Sequence, residues 1–168
     1  PGCMNPDADN YDATATIDDG TCIISGCDDV AALNYQEGVT NPTNEICYYT
    51  LPNMVINEVH SNPCGAQGDD FDFEFVEIYV GNDMPVDMGG FEFYNSASGS
   101  PQLGYVFPAG TTVQPGEYFI MTVSDAGTAN YGGLGVQVFQ MDLGNFSNSG
   151  EAISIEDGFG NVIDAIDY

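Results

Sequence analysis

Five aspartates and two asparagines crowd the start of the chain: Asn5, Asp7, Asp9, Asn10, Asp12, Asp18 and Asp19. Calcium takes 6–8 oxygen ligands at about 2.3–2.6 Å from carboxylates, amides and backbone carbonyls, and a short loop dense in Asp, Asn and Gly supplies them without a helix or sheet. The Asn5, Asp7, Asp9 spacing is only superficially that of an EF-hand loop, because the required Gly and terminal Glu are missing. Asp28 and Asp29 open a thinner cluster, and Asp69 and Asp70, followed by Asp72 and Glu74, a third. The competing reading is a solvated negative face. It is strongest for the third cluster, where alternating acids would guard a sheet edge. Calcium is the expected cofactor, with the first cluster the favoured site.

The remaining chemistry is narrow. The 168 residues include 26 Asp and Glu, no Lys or Arg and one His, for a formal charge of −26. Phosphate neutralisation is impossible for such a chain, so nucleic acid is excluded as a partner. Anionic membrane surfaces are excluded on the same ground, and divalent cations are favoured. No run approaches the roughly 20 apolar residues of a membrane span. His60 lacks a Cys pair at zinc spacing, and neither GxSxG nor HExxH occurs. Two acids could always meet to cleave a glycoside, but with 26 of them that possibility selects none. The reading is therefore no enzyme. Cys64 stands in a loop as a free thiol, an intermolecular bridge or a partner for a repeat cysteine, and Asn145-Phe146-Ser147 is a glycosylation sequon.

These residues must be held by something, and a repeat supplies the first answer. Gly2-Cys3, Ala8 and Asn10-Tyr11 recur as Gly26-Cys27, Ala32 and Asn34-Tyr35, at an offset of 24. Cys22 and Cys47 close the two copies, the second carrying one extra residue. Neither copy, 1–24 or 25–50, is apolar enough to hold a core. A disulfide across each would close a loop of about 20 residues, worth about 3 kcal/mol in the chain-entropy model. Cys3–Cys22 and Cys27–Cys47 are the expected pairs, with two other pairings left open. Ordered cysteines favour an oxidising, extracellular compartment. The start at Pro1 suggests that a secretion segment has been removed.

The repeat resembles a cysteine-bounded unit, GCxDxxAxNYxxxAxxDDGSC, found in tandem in secreted bacterial surface proteins. The first copy matches through Asn10-Tyr11, Ala15 and Asp18-Asp19-Gly20-Thr21-Cys22. The second replaces the DDG segment with Thr43-Asn44-Glu45-Ile46-Cys47.

From residue 53 the pattern becomes that of strands. The composition, 43% apolar and 12% aromatic with 21 Gly and 9 Pro, suits a β-rich core between turns. Val55 to Val59 is a strand, and 70–80 reads DFDFEFVEIYV. There Phe71, Phe73 and Phe75 alternate with Asp72 and Glu74, which puts the rings on a buried face and the acids in water. Further strands are expected over 90–95, 104–107, 117–123, 136–140, 152–156 and 161–167. Turns at intervals of about 8–12 residues make this an all-β sandwich.

The ordered set Ile56-Asn57-Glu58-Val59, Glu74-Phe75-Val76-Glu77-Ile78-Tyr79, Gly89-Gly90-Phe91, Phe107-Pro108-Ala109-Gly110-Thr111, Pro115-Gly116-Glu117-Tyr118 and Ser147-Asn148-Ser149-Gly150-Glu151 resembles the lamin-tail domain. The resemblance spans 53–168. It implies an immunoglobulin-like β-sandwich preceded by a small, disulfide-stapled, loop-rich region, and no single function. The expected role is an extracellular structural protein, a filament or surface-layer subunit whose partners are copies of itself, stabilised by calcium and disulfides. The alternative is a secreted adhesion or carbohydrate-binding module gripping a polysaccharide.

Overall fold

With only Cys3, Ala8, Gly26, Cys27, Ala32 and Asn34 buried among the described residues, the first 51 residues have little to hold a sheet together. They form a unit of turns, Pro1–Leu51, whose strands are the two-residue β1 (Ser25–Gly26) and β2 (Asn41–Pro42), paired in parallel. Disulfides join Cys3 to Cys22 and Cys27 to Cys47, with Cα atoms 4.8 and 5.1 Å apart. The computed structural model describes residues 1–43, 46–62, 72–96, 101–141 and 146–168.

The second unit, Pro52–Tyr168, is the sandwich. Its first sheet contains β3 (Met54–His60) and β4 (Phe75–Val80). The short β5 (Val86–Asp87) leads to β6 (Glu92–Asn95) and β7 (Gln102–Val106). Next come β8 (Thr112–Val113), β9 (Tyr118–Thr122), the helix α1 (Asp125–Tyr131) and β10 (Gln137–Gln140). The chain ends in the hairpin β11 (Ala152–Glu156) and β12 (Val162–Asp167). One sheet runs β10-β9-β4-β3, the other β12-β11-β6-β7, and β5 pairs with β8. Among the described residues the pairings in this unit are antiparallel except β9 with β10.

The facing sides carry the apolar residues of alternate positions. Val76, Ile78 and Val80 of β4 meet Phe93 of β6 and Ile153 and Ile155 of β11 in one core. Phe107, Phe119 and Phe139 pack edge to face with centroids 5.0–5.9 Å apart, a geometry that aligns ring edges with ring faces. Where β3 bulges between Ile56 and Glu58, the Ile56 amide donates to Asp164 of β12 at 2.7 Å, tying one sheet to the other.

Two features differ from the sequence expectation. Strand β4 begins at Phe75, and its phase is set by Val76, Ile78 and Val80. Glu74 therefore falls on the inward side and is fully buried, while Phe73 and Phe75 are only half-buried. The segment between β9 and β10, to which the sequence reading assigns no element, contains α1. Parallel neighbours need a crossover, and α1 with the 3-10 turn Gly132–Leu134 provides it. Ser124 caps α1 by accepting from the Gly127 amide at 2.9 Å, and its hydroxyl donates to Asp72. At Gly127 a Cβ would lie 3.2 Å from Thr122 Cβ, so the glycine lets the helix sit close against β9.

Candidate functional site

The repeats are built around one side chain each. Asn10 donates to the Thr21 carbonyl at 2.7 Å and accepts from the Ile23 amide at 2.8 Å. Asn34 does the same around Cys47, donating to Ile46 at 2.8 Å and accepting from Tyr48 at 3.0 Å. A carboxamide offers a donor and an acceptor in one plane, so it pairs with backbone on both sides of the closing cysteine as a strand residue would. A carboxylate has no donor for this task. The Cys3 and Cys27 carbonyls accept from the amides after the two tyrosines, those of Asp12 and Gln36, each at 2.9 Å.

The acids expected as calcium ligands take other partners. Asp12 Oδ1 accepts from the Thr14 hydroxyl at 2.7 Å and amide at 2.8 Å, and Asp19 Oδ1 from the Thr21 hydroxyl at 2.6 Å and amide at 3.1 Å. Hydroxyls that donate to the ionised form hold both carboxyls below the usual range. Asp18 accepts from the Gly20 amide, and Asn5 from that of Asp7. Asp29, the counterpart of Asn5, accepts from the Ala31 amide at 2.9 Å and the Tyr49 hydroxyl at 2.7 Å, and is likewise held low. Asp7, Asp9 and Asp28 are exposed. Among the described residues no three His, Cys, Asp or Glu side chains form a metal cage. Asp69, Asp70, Cys64 and Asn145 lie outside the described residues.

In the sandwich, buried acids appear that alternation alone did not reveal. Asp157, fully buried, accepts from the amides of Phe159 and Asn161 and from the Asn161 side chain at 2.7–2.9 Å. It is the frame of the β11–β12 turn. Glu74 accepts from the Phe146 amide at 2.9 Å. Glu151 Oε1 accepts from the next amide, Ser147, at 3.2 Å, and from the Tyr168 hydroxyl at 3.0 Å. Burial pushes the Glu151 carboxyl up, and burial with the neighbouring acids pushes the Tyr168 phenol up. The only sequence signal for this group was the phase of β4; sequence separations of 72 and 17 hid the rest. His60 meets the Phe75 ring edge-on at 5.2 Å.

A family model described as Lamin Tail Domain matches residues 49–168. The chain belongs to the lamin tail domain family. No curated protein matches it. The lamin tail domain is an immunoglobulin-like fold of structural and adhesive type without catalytic machinery of its own. Of the segments that suggested the family, Ile56 to Val59 lies on β3 and Phe75 to Tyr79 on β4, whereas Ser147 to Glu151 precedes β11. Among the described residues no helix is long and apolar enough to cross a membrane.

Proposed function

We propose that the chain is an extracellular structural subunit that assembles with copies of itself, its disulfides stapling the N-terminal unit and calcium offsetting charge between neighbours. The observation that carries this reading is how the second repeat seats on the segment leaving the first. The Ile24 amide donates to the Thr40 hydroxyl at 2.8 Å, and the Ile24 carbonyl accepts from Thr40 and Asn41, each at 3.0 Å. The pairing of β1 with β2 lies within the second repeat, as its counterpart Gly2 with Asp18 lies within the first. The second repeat thus holds Ile24, the last residue of the first, by hydrogen bonds to its backbone, a mode that works equally between chains. Tyr49 follows Cys47 as Ile24 follows Cys22, and Thr16 is the counterpart of Thr40.

Charge is the obstacle, because copies at −26 repel and a Debye length of about 8 Å screens them only in part. Each calcium ion between copies cancels two charges. Electron microscopy in millimolar calcium, repeated after excess chelator, tests the reading. Filaments or sheets that disperse on chelation support it. Single particles in both conditions refute it, and assemblies indifferent to the chelator would remove calcium from it.

One observation favours the alternative of an adhesion or polysaccharide-binding module. The Tyr79 and Tyr118 rings lie 5.0 Å apart on the outward face of the first sheet, with Tyr118 40% exposed. Pulldown of monomeric protein on insoluble glycans, lost in Tyr118→Ala, would select that reading.

A further inference from the structure

The two repeats share one backbone frame but differ in what it holds. In the second, the Thr40 and Asn41 amides donate to the Ile24 carbonyl, each at 3.0 Å. The Thr40 hydroxyl accepts from the Ile24 amide at 2.8 Å and donates to the Cys22 carbonyl at 3.2 Å. Thr16 and Ile17 are the counterparts of Thr40 and Asn41. Their backbone is set in the same way: Gly2 bridges Asp18 as Gly26 pairs with Pro42, and the Gly2 amide donates to the Ile17 carbonyl at 3.1 Å. Among the described residues, however, the Thr16 and Ile17 amides and the Thr16 hydroxyl make no hydrogen bond. Both residues are exposed, Ile17 to 65%. The matching groups occur at the other end of the unit. Tyr49 stands two residues past Cys47, as Ile24 stands two past Cys22. Its phenol is held on Asp29 at 2.7 Å, whereas its backbone amide and carbonyl have no partner among the described residues, and it is 56% exposed.

We propose that Thr16 and Ile17 form a docking edge for the Tyr49 segment of a second copy of this chain, held as the second repeat holds Ile24. This rests on the assembly reading above and names its contact. The two amides of the edge take the Tyr49 carbonyl, and the Thr16 hydroxyl takes the Tyr49 amide, so each group meets its complement. Main-chain bonds of this kind give affinity without a charged partner, which a chain lacking Lys and Arg requires. The exposed Ile17 lies beside the incoming residue, and covering it adds apolar burial. Pro1, the counterpart of Ser25, is exposed and makes no hydrogen bond among the described residues, so it gives way to the incoming backbone with no bond lost. Edge and segment are different surfaces of one chain. The contact is therefore heterologous, and copies joined by it propagate head to tail. Calcium is left the separate task of offsetting exposed acids such as Asp18 and Asp19 beside the edge.

Amide hydrogen exchange on the full chain, in millimolar calcium and from dilute to concentrated solution, tests the edge. The Thr40 and Asn41 amides serve as the internal reference, because they are bonded within each chain. The expected result is exchange at Thr16, Ile17 and Tyr49 that is fast in dilute chains and slows together as concentration rises, while the reference stays slow throughout. Thr16→Val removes only the hydroxyl of an exposed residue and should raise the concentration at which copies associate by about ten-fold, the worth of one such bond. Two results would overturn the edge and leave the assembly reading standing: copies that associate while Thr16 and Ile17 still exchange as in dilute chains, or Thr16→Val chains that associate as the parent does. Thr16 and Ile17 amides already slow in dilute chains would overturn it as well, since the segment they hold is then their own. Chains that remain single at every concentration, with exchange unchanged, refute the edge and the assembly reading together.

Discussion

The N-terminal unit and the sandwich handle the same surplus of negative charge in opposite ways. In the small unit the acids stay at the surface, and Asp12, Asp19 and Asp29 each have a hydroxyl or amide donating to them. Water does the rest, and order comes from two disulfides and two asparagine clamps. The sandwich instead gathers a continuous apolar core and draws Glu74, Glu151 and Asp157 into it or to its margin. Exposure makes an acid cheap, whereas burial requires that every oxygen find a donor or an ion. Asp157 meets that requirement from its own turn; Glu151 does so on one oxygen.

The sharpest way to separate the units is to damage one core. Phe119 is 1% exposed and wedged against Phe107 and Phe139. Phe119→Ala is expected to cost the sandwich about 3–5 kcal/mol, through lost burial and the cavity left behind. The N-terminal amide resonances should stay where they are, and a collapse of both sets would show one cooperative unit. The reverse experiment removes the second disulfide with Cys27→Ser and Cys47→Ser. It should cost the small unit about 3 kcal/mol, enough to leave the second repeat disordered while the sandwich melts unchanged.

A finer cut compares the two clamps. Asn34 is 6% exposed and Asn10 is exposed, although they make the same pair of bonds. Replacing Asn34 by Ala strands a carbonyl and an amide away from water, for about 1–3 kcal/mol. At Asn10 water can take over, so hydrogen exchange should rise less around Cys22 than around Cys47. Equal effects would mean that the clamp acts through the chain's loop entropy rather than through burial.

Much of this contrast was readable from residue order, and the unread part has a physical cause. The repeat offset exposed the loop closures, because identical residues at a constant spacing need no tertiary information. Period-two alternation placed most strands. It failed at Glu74 because three phenylalanines suggested a phase that the aliphatic Val76, Ile78 and Val80 overrode. Helix α1 is seven residues long and contains Gly127 and Thr128, so no periodicity marks it; Ser124, a capping residue, was the one signal. Asn10 was grouped with metal ligands on composition, when its matched partner Asn34 could have pointed to a shared structural task. The meeting of Glu74 with the Phe146 amide follows from sheet order, which no local window contains.

The smallest expected effect is also the one that tests the comparison in a single titration. Asp12, Asp19 and Asp29 have folded-state pKa values below the ordinary one. The stability they add is present above the unfolded value and is lost as pH falls through the folded ones. Glu151 has a folded-state value above the ordinary one, so its unfavourable contribution at neutral pH is relieved as pH falls through that value towards the unfolded one. In chelator, acidification from neutral pH should therefore first slow amide exchange near Ser147 and Tyr168, and only at lower pH speed it near Thr14, Thr21 and Ala31. The exposed acids contribute weakly because solvent screens them, so the order of events carries the test rather than their size. Exchange that quickens in both units over the same pH interval would show that burial of Glu151 has no hold on its proton, and the contrast between the two regions would fail at its most specific point.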